Sequence, residues 1–341
     1  MSAILVTGAA GFIGFHLSQA LMALGFTVIG VDNLNTYYDI NLKKARLSLL
    51  NEYPAFTFLQ LDISDDAAVE ELGANHDFTI IVNLAAQAGV QYSIENPHVY
   101  MDSNIRGFLN ILELSKAKRI EHLIYASSSS VYGMNKKIPF SENDPVDHPI
   151  SLYAATKKSN ELMAHSYSYL NNIPTTGLRF FTVYGPWGRP DMALFKFTKA
   201  LVENKPININ NHGNHARDFT YIDDIIQGIL AVIKTPFKKT TNSSDEILTP
   251  SSSLAPWRIL NIGRGQKVPL MDFISCIEHY FDKQINKNFL PLQPGDVPET
   301  NCDTSKLVDL YGYQPKVSIH QGVYSFLDWY VDFYKVDLKN K

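Results

Sequence analysis

The sequence predicts an α/β protein: a doubly wound parallel sheet of the Rossmann type, with a smaller C-terminal α/β lobe that binds the substrate. Two observations predict this fold class. The first half of the 341-residue chain alternates short apolar segments with amphipathic stretches, a pattern typical of parallel strands covered by helices on both faces. The second half is less regular and richer in Pro-containing turns, and its length suits a second, smaller lobe.

The predicted elements follow in chain order. Six apolar segments are predicted as strands of the sheet: residues 4–7, 27–32, 57–62, 79–84, 122–127 and 175–181. Amphipathic stretches such as 13–24 and 105–117 are predicted as helices. We expect residues 1–181 to form the Rossmann part, with 215–235 returning to it, and 182–341 to form mainly the second lobe. The polar stretch 238–256 is expected to be a surface loop before a strand at 258–262.

Composition and charge exclude several classes of function. Apolar residues make up 45% of the chain and the net charge is −4, so we expect a folded protein without a field that gathers nucleic acid or anionic lipid. Cys276 and Cys302 are far apart, which indicates neither a disulfide framework nor a zinc site. His212 and His215 lie in a polar loop without carboxylates or thiols at ligand spacing, so no metal is expected. The N-terminus resembles neither a signal peptide nor a membrane anchor, and we expect a cytoplasmic protein that binds no membrane.

A glycine-rich segment between the first strand and the first helix predicts a dinucleotide site. Gly8 permits a tight turn, Gly11 lets the backbone approach a pyrophosphate, and Gly14 lets helix and strand pack closely. The helix begins at Phe12 and Ile13, whose N–H groups and positive dipole end suit phosphates. Three glycines alone could be simple turn formers, but their position between strand and helix favours the dinucleotide interpretation.

The ends of the next strands supply further candidate contacts. The second strand ends at Asp32, whose carboxylate would accept hydrogen bonds from the adenosine ribose and repel a 2′-phosphate, so NAD is predicted rather than NADP. Alternatively, Asp32 caps a turn together with Asn33. Asp62 and Ile63 end the third strand and could flank the adenine. Small residues end the fourth strand, where a cofactor could lie against the backbone: Leu84, Ala85, Ala86 and Gln87.

Ser128, Tyr153 and Lys157 are the candidate catalytic residues. Ser128 follows a buried strand, and Tyr153 and Lys157 are spaced i and i+4 on one face of a predicted helix. A lysine ammonium and a nicotinamide cation both favour phenolate, so we expect the pKa of Tyr153 to fall towards neutrality. Such a tyrosine can exchange a proton with a sugar hydroxyl, with Ser128 completing the hydrogen bond. A tyrosine and a lysine at this spacing also occur on ordinary amphipathic helices.

Eight motifs in this order resemble a known family, the UDP-glucuronate 4-epimerases, which are relatives of UDP-galactose 4-epimerase. The motifs are TGAAGFIG, DNLN, NLAAQAG, ASSSSVYG, YAATK, LRFFTVYGPWGRPDM, RDFTYIDD and LQPGDVPET, and they span almost the whole chain. The resemblance implies a retained NAD, a 4-keto sugar that turns over within the site, and Lys157 bound to the nicotinamide ribose. It also implies a cytoplasmic enzyme of polysaccharide biosynthesis. Asn104 and Phe180 complete the predicted cofactor contacts.

The resemblance also implies which residues hold the sugar and the UDP. Thr182 stands where galactose epimerases generally carry Asn. Arg189, with Thr182 and the hydroxyls of Ser129 and Ser130, would clamp the C6 carboxylate, because a guanidinium pairs bidentately with a carboxylate. Alternatively, Arg189 is a surface or interdomain arginine. Arg217 resembles the diphosphate-binding arginine of the family. Asp296 resembles a uridine-ribose contact, unless it is simply a turn carboxylate.

Three departures from related sequences bear on the reaction and the substrate. Ser130 has no titratable group where nucleotide-sugar dehydratases and UDP-glucuronate decarboxylases usually carry a carboxylate, which favours epimerisation. Asn83 stands where many relatives carry His. Gln91 stands where many carry Arg, and this second difference bears on how the sugar end is held.

Two other functions are alternatives at this stage, and the sequence also suggests how the subunits could assemble. The first alternative is another UDP-sugar enzyme: a galactose-type epimerase, a dehydratase or a decarboxylase. The second is a non-catalytic NAD-binding sensor, which would have little need for Tyr153 and Lys157. Family members commonly form homodimers through two helices of each subunit, and residues 99–116 and 152–170 are the candidates here.

Overall fold

A seven-stranded parallel sheet forms the centre of the molecule. The computed structural model describes residues 3–235, 237 and 248–337. Its strands are β1 (Ala3–Thr7), β2 (Thr27–Asp32), β3 (Phe56–Gln60), β4 (Ile80–Asn83), β5 (His122–Ser128), β6 (Thr175–Phe180), β7 (Thr182–Tyr184), β8 (Ile207–Ile209), β9 (Ala216–Tyr221), β10 (Trp257–Ile262), β11 (Lys267–Pro269) and β12 (Lys287–Phe289). The order in the main sheet is β10-β6-β5-β4-β1-β2-β3. The predicted fold class is confirmed.

Helices cover both faces of this sheet. They are α1 (Phe12–Ala23), α2 (Ile40–Leu50), α3 (Asp66–Asn75), α4 (Tyr92–Glu95), α5 (His98–Tyr100), α6 (Gly107–Lys118), α7 (Leu152–Asn171), α8 (Ala193–Val202), α9 (Ile222–Lys234), α10 (Leu270–Phe281), α11 (Ser305–Tyr311) and α12 (Ile319–Phe333). One apolar cluster joins α1 and α9 to one face of the sheet, and a second joins α3 and α6 to the other face. Burial on both faces explains why the strands are almost continuously apolar.

The strand order places a ligand site at one edge. The chain runs outward from β1 through β2 and β3, and then returns to the other side of β1 with β4. Such a reversal opens a crevice at the carboxyl ends of the strands, where open α/β sheets bind their ligands. The residues that follow β1, β2, β4, β5 and β6 therefore converge on one place.

The second half of the chain contributes both to the main sheet and to two smaller sheets. Strand β10 pairs in parallel with β6, and α9 packs against α1. The remaining strands form a three-stranded sheet, β11-β9-β7, and a two-stranded sheet, β12-β8. Of the polar stretch that the sequence predicts as a surface loop, residues 238–247 lie outside the described residues, and residues 249 and 252 form a bridge next to β10.

The predicted helix at 105–117 begins differently from the expectation. Residues Met101–Arg106 form a π-helical segment, and α6 begins only at Gly107. Asn104 in this segment turns its amide towards Gln87, donating to the Gln87 carbonyl at 3.0 Å and accepting from the Gln87 N–H at 2.8 Å. This link between helix and loop accompanies the local widening of the helix, a feature that is frequent beside functional sites.

No helix among residues 3–235 and 248–337 is long and apolar enough to cross a bilayer. The same residues contain no group of three His, Cys, Asp or Glu side chains placed to hold a metal ion. Cys276 and Cys302 are both free thiols.

Candidate active site

A cavity of about 550 Å³ lies at the carboxyl ends of β1, β2, β4, β5 and β6. It brings together most of the residues that the sequence analysis predicted: Gly8, Gly11, Phe12, Ile13, Gly14, Asp32, Asn33, Asp62, Ile63, Leu84, Ala85, Ala86, Gln87, Ser128, Ser129, Ser130, Tyr153, Lys157, Phe180, Thr182, Arg189 and Asp296. Two predicted residues do not line it. Asn104 lies behind its wall, and Arg217 lines a smaller neighbouring cavity of about 150 Å³ together with Asp296.

The glycine loop has the backbone shape that a dinucleotide needs. Gly8 has a φ of +71°, and a Cβ there would lie 2.9 Å from the Ala85 nitrogen. A Cβ on Gly14 would lie 2.1 Å from the Gly8 carbonyl oxygen, so α1 can pack this closely only with glycine at that position. Gly11 is the N-cap of α1, and no side chain caps this end. The first N–H groups of α1 therefore remain for a ligand such as a phosphate.

Asp32 and Asp62 line the part of the cavity at the ends of β2 and β3. Asp32 is buried and accepts a hydrogen bond from the Leu34 N–H at 2.8 Å. Asp62 accepts from the Asn33 amide at 2.8 Å and from the Ser64 N–H at 2.9 Å. Burial alone would raise the pKa of Asp62, but these hydrogen bonds lower it overall. Both carboxylates can therefore act as hydrogen-bond acceptors for the adenosine half of a dinucleotide.

Lys43 is a cavity residue that the sequence analysis missed. Adjacent lysines such as Lys43 and Lys44 are typical of a solvated surface, yet Lys43 is only 4% exposed and lines the cavity. Its ammonium donates to the Asn35 amide oxygen at 3.0 Å and lies 3.6 Å from an Asp32 oxygen. Helix α2 turns this side chain inward, and a pair of adjacent lysines gives no signal of that orientation.

The wall after β4 is fixed by hydrogen bonds from two directions. Thr7 donates to Asn83 at 2.6 Å and accepts from the Ala85 N–H at 3.1 Å. Asn83, which stands where many relatives carry His, thus joins β1 to β4. Asn104 supports Gln87 from behind and also donates to Thr156 at 3.0 Å. Asn104 therefore supports the wall after β4 from behind, and its contact with a cofactor stays a prediction.

Ser128, Tyr153 and Lys157 all line the cavity. Ser128 ends β5 and Tyr153 lies in the first turn of α7, where Ser151 caps the helix by accepting from the Ala154 N–H at 3.1 Å. The ammonium of Lys157, which is 3% exposed, donates to the Ala126 carbonyl at 2.9 Å. Burial lowers the pKa of Lys157 to about 8.

The protein groups around Tyr153 raise its pKa. Burial raises it, and a hydrogen bond with Ser128 and the charge of Arg189 oppose this effect without reversing it, because desolvation of the phenolate outweighs the nearby positive charge. The lowering expected beside a bound nicotinamide cation stays a prediction. The sequence shows which charges are near Tyr153 but not how deeply the ring is enclosed.

A buried ion pair lies directly beneath these residues. Glu161, two turns after Tyr153 on α7, accepts two hydrogen bonds from Arg179 of β6 at 2.8 and 2.9 Å and one from Ser127 at 2.7 Å. Arg179 also donates to the Tyr132 hydroxyl at 3.1 Å. Burial alone would raise the pKa of Glu161, but Arg179 and Ser127 lower it overall. The pair ties α7 to β5 and β6 at the position of the catalytic candidates.

A second arginine–carboxylate pair, Arg189 with Asp191, lines the cavity. Arg189 donates from Nε to Asp191 Oδ1 at 3.0 Å and from Nη2 to Asp191 Oδ2 at 2.5 Å. Tyr37 donates to the same Asp191 Oδ2 at 3.1 Å. The hydroxyls of Ser129, Ser130 and Thr182 also line the cavity. The sequence analysis singled out Arg189 but missed Asp191 and Tyr37.

Arg217 and Asp296 form an ion pair in the smaller neighbouring cavity. The distance between Nη2 and Oδ1 is 3.5 Å, and Arg217 also donates to the Pro298 carbonyl at 2.9 Å. Gln91 donates to the Pro294 carbonyl at 2.9 Å, so it joins the wall after β4 to the loop that carries Asp296.

Comparison with known proteins identifies the family. The model of the NAD dependent epimerase/dehydratase family matches residues 4–245. The chain belongs to this family. Membership confirms the family resemblance of the sequence motifs and the prediction of an NAD-dependent enzyme. The matched residues include the glycine loop, the Ser128, Tyr153 and Lys157 positions, Arg189 of the cavity and Arg217 of the neighbouring smaller cavity.

Proteins named as UDP-glucuronate 4-epimerases resemble the chain over nearly its full length. It is 47% identical over 332 residues to a probable UDP-glucuronate 4-epimerase of Rhizobium meliloti (strain 1021), with 97% of each chain covered. It is 46% identical to UDP-glucuronate 4-epimerase 4 of Arabidopsis thaliana, covering 98% of this chain and 77% of that one. The crystal structure of UDP-glucuronic acid 4-epimerase from Bacillus cereus with UDP-glucuronic acid and NAD superposes with a TM-score of 0.87 at 35% identity, covering 97% and 100% of the two chains.

Proposed function

We propose that this protein is a UDP-glucuronate 4-epimerase that interconverts UDP-glucuronate and UDP-galacturonate with a tightly retained NAD. The observation that carries the proposal is a single cavity lined by the dinucleotide loop, the Ser128–Tyr153–Lys157 group and Arg189. Relatives of 46–47% identity that bear this name support the same reaction.

The residues of the cavity fit NAD. The uncapped N-terminus of α1 would receive the pyrophosphate, Asp32 and Asp62 the adenosine, and Lys157 the nicotinamide ribose. The predicted contacts of Asn33, Ile63, Ala85, Gln87 and Phe180 complete this assignment. When bound, NAD supplies reversible oxidation at C4 of the sugar.

Tyr153 would take the proton of the sugar 4-hydroxyl and return it after the ring has turned. Its hydroxyl is hydrogen-bonded with Ser128, which completes the path of the proton. Lys157 would keep its positive charge near the phenolate, although burial lowers its pKa to about 8. The raised pKa of Tyr153 suits a group that is protonated at rest and ionises only transiently.

The part of the cavity lined by Arg189 would distinguish a uronate from a neutral sugar. The Arg189 guanidinium and the hydroxyls of Ser129, Ser130 and Thr182 provide the donors that a C6 carboxylate requires. Ser130 offers no carboxylate for the proton transfers of elimination or decarboxylation, which favours epimerisation. Arg217 and Asp296 would hold the diphosphate and the uridine ribose.

The cellular setting and the assembly extend the same proposal. We infer a cytoplasmic enzyme that supplies uronate units for polysaccharide biosynthesis. We also infer a homodimer through α6 and α7, because exposed apolar side chains occur on both helices, including Leu109, Leu162 and Leu170. The division into a Rossmann part of residues 1–181 with 215–235, and a lobe formed mainly by 182–341, remains part of the proposal.

Product analysis tests the proposed reaction. The purified protein is incubated with UDP-glucuronate or with UDP-glucose, and the nucleotide sugars are separated by anion exchange. We expect UDP-galacturonate to form, and turnover of UDP-glucose to be slower by about 100-fold or more because it lacks the carboxylate. A UDP-pentose would indicate a decarboxylase. No product from either sugar, even with added NAD, would favour a non-catalytic NAD-binding protein.

The choice between NAD and NADP is tested at Asp32. We expect Asp32→Ala to shift the ratio of the two affinities towards NADP by about tenfold or more, because a carboxylate that repels the 2′-phosphate is removed and Lys43 remains beside it. Cofactor exchange measured by fluorescence gives the ratio. Asp39→Asn, which changes an exposed helix cap outside the cavity, is the control. An unchanged ratio in Asp32→Ala would contradict the assignment.

A further inference from the structure

The arginine assigned to the sugar carboxylate already has a carboxylate partner. Arg189 donates hydrogen bonds from Nε and Nη2 to the two oxygens of Asp191, at 3.0 and 2.5 Å. These two donors form the edge of the guanidinium that binds a carboxylate side-on and bidentately. Both side chains line the cavity and are about one-quarter exposed, so the pair lies where the sugar end would be and not on the outer surface.

The pair is held by a third residue from a distant part of the chain. Tyr37, which follows β2, donates its hydroxyl to Asp191 Oδ2 at 3.1 Å, and its ring packs against Tyr92 with centroids 4.8 Å apart. Gly89 leaves room for this hydroxyl, since a Cβ there would lie 2.7 Å from it. Asp191 is therefore fixed from two sides by residues of the cavity.

The charges determine what an incoming uronate meets. Burial alone would raise the pKa of Asp191, but Arg189 and Tyr37 lower it overall, so the carboxylate is ionised at neutral pH. A sugar carboxylate then has two ways to bind. It either displaces Asp191 from Nε and Nη2, or it approaches the remaining N–H groups while a second negative charge stands on the same guanidinium. Asp191 opposes the binding of the uronate in both arrangements.

Resting on the proposed function, we propose that Asp191 is a specificity-determining and positioning residue that competes with the C6 carboxylate of the sugar for Arg189. The competition weakens the hold on the uronate end without weakening the hold on UDP. When the sugar turns between its two C4 configurations, its carboxylate can leave Arg189 because Asp191 takes its place. The guanidinium is then never left unpaired in the enclosed site, a state that would be costly.

Asp191→Asn in the holoenzyme tests this proposal, because it removes the competing charge and nearly preserves the shape. We expect the Kd for UDP-glucuronate to fall by about tenfold, with the Kd values for UDP and UDP-glucose unchanged. We also expect kcat to fall, since release of the carboxylate becomes slower. Tyr37→Phe removes one donor from Asp191 and should act in the same direction with a smaller effect, which provides a second variant should Asp191→Asn not fold.

Arg189→Ala supplies the matched background. In that background Asp191→Asn should no longer change the ratio of the UDP-glucuronate and UDP-glucose affinities. If the role of Asp191 were merely structural, Asp191→Asn would still change this ratio. A higher or unchanged Kd for UDP-glucuronate in Asp191→Asn, with UDP binding intact, would overturn the proposal and leave Asp191 as a support that shapes Arg189. Failure of the wild-type protein to convert UDP-glucuronate would instead overturn the proposed function itself.

Discussion

Tyr153→Phe is expected to lower kcat for UDP-glucuronate by about 10²- to 10⁴-fold, the range that a positioned general acid–base contributes. The substitution removes the hydroxyl that is hydrogen-bonded with Ser128 and keeps the ring, which packs edge-on against Tyr100 with centroids 6.1 Å apart. The site should therefore keep its shape. Turnover is measured by separation of the nucleotide sugars, retained NAD by its absorbance after denaturation, and UDP affinity by calorimetry.

Tyr169→Phe is the matched control for this prediction. Tyr169 lies on the same helix, α7, but its side chain is exposed outside the cavity. It should keep wild-type turnover, whereas Tyr153→Phe should lose turnover and keep the NAD content and UDP affinity of the wild type. If Tyr153→Phe retained more than about a tenth of the wild-type kcat, Tyr153 would not be the proton carrier.

Glu161→Gln is expected to lower the free energy of unfolding by about 3–5 kcal/mol, because it leaves the charge of Arg179 buried without a counter-charge. Arg179 is fully buried in β6, and Glu161 receives two of its donors. Guanidinium denaturation of the holoenzyme measures the loss. Since the pair joins α7 to β5 and β6, we also expect Tyr153 and Ser128 to be less well aligned and kcat to fall.

Two variants separate the charge from the shape of this pair. Glu203→Gln breaks an exposed pair with Lys205 and should leave the denaturation midpoint almost unchanged. The double variant Glu161→Gln with Arg179→Met removes both charges and should recover much of the lost stability, because the buried charge is gone. If Glu161→Gln were as stable as Glu203→Gln, the buried pair would not be a determinant of the fold.

Local patterns in the sequence predicted the sheet and the position of the site. Strands such as β1 and β4 are short, apolar and followed by small residues, and parallel strands bring their carboxyl ends together. Gly8, Gly14, Tyr153 and Lys157 follow fixed spacings, so each can be predicted without knowledge of distant contacts. Their convergence on one cavity follows from the strand order.

Residues whose role depends on a distant partner could not be predicted in this way. Asp191 pairs with Arg189 only two positions away, but it is also held by Tyr37, which lies 154 positions earlier in the chain. Lys43 turns inward because of how α2 packs. The pKa of Tyr153 depends on how fully the ring is enclosed, a property of the folded cavity. Sequence patterns carry residue types and spacings, whereas these features depend on tertiary contacts.

The most direct test of the central claim is the conversion of UDP-glucuronate in D₂O without added NAD, followed by proton NMR of the sugar. The account predicts UDP-galacturonate whose C4 keeps the hydrogen of the substrate, because the hydrogen removed from C4 returns to the same carbon within a closed site. Formation of UDP-galacturonate without added NAD would also show that the cofactor stays bound. Deuterium at C4 would contradict the account, and so would a pentose product.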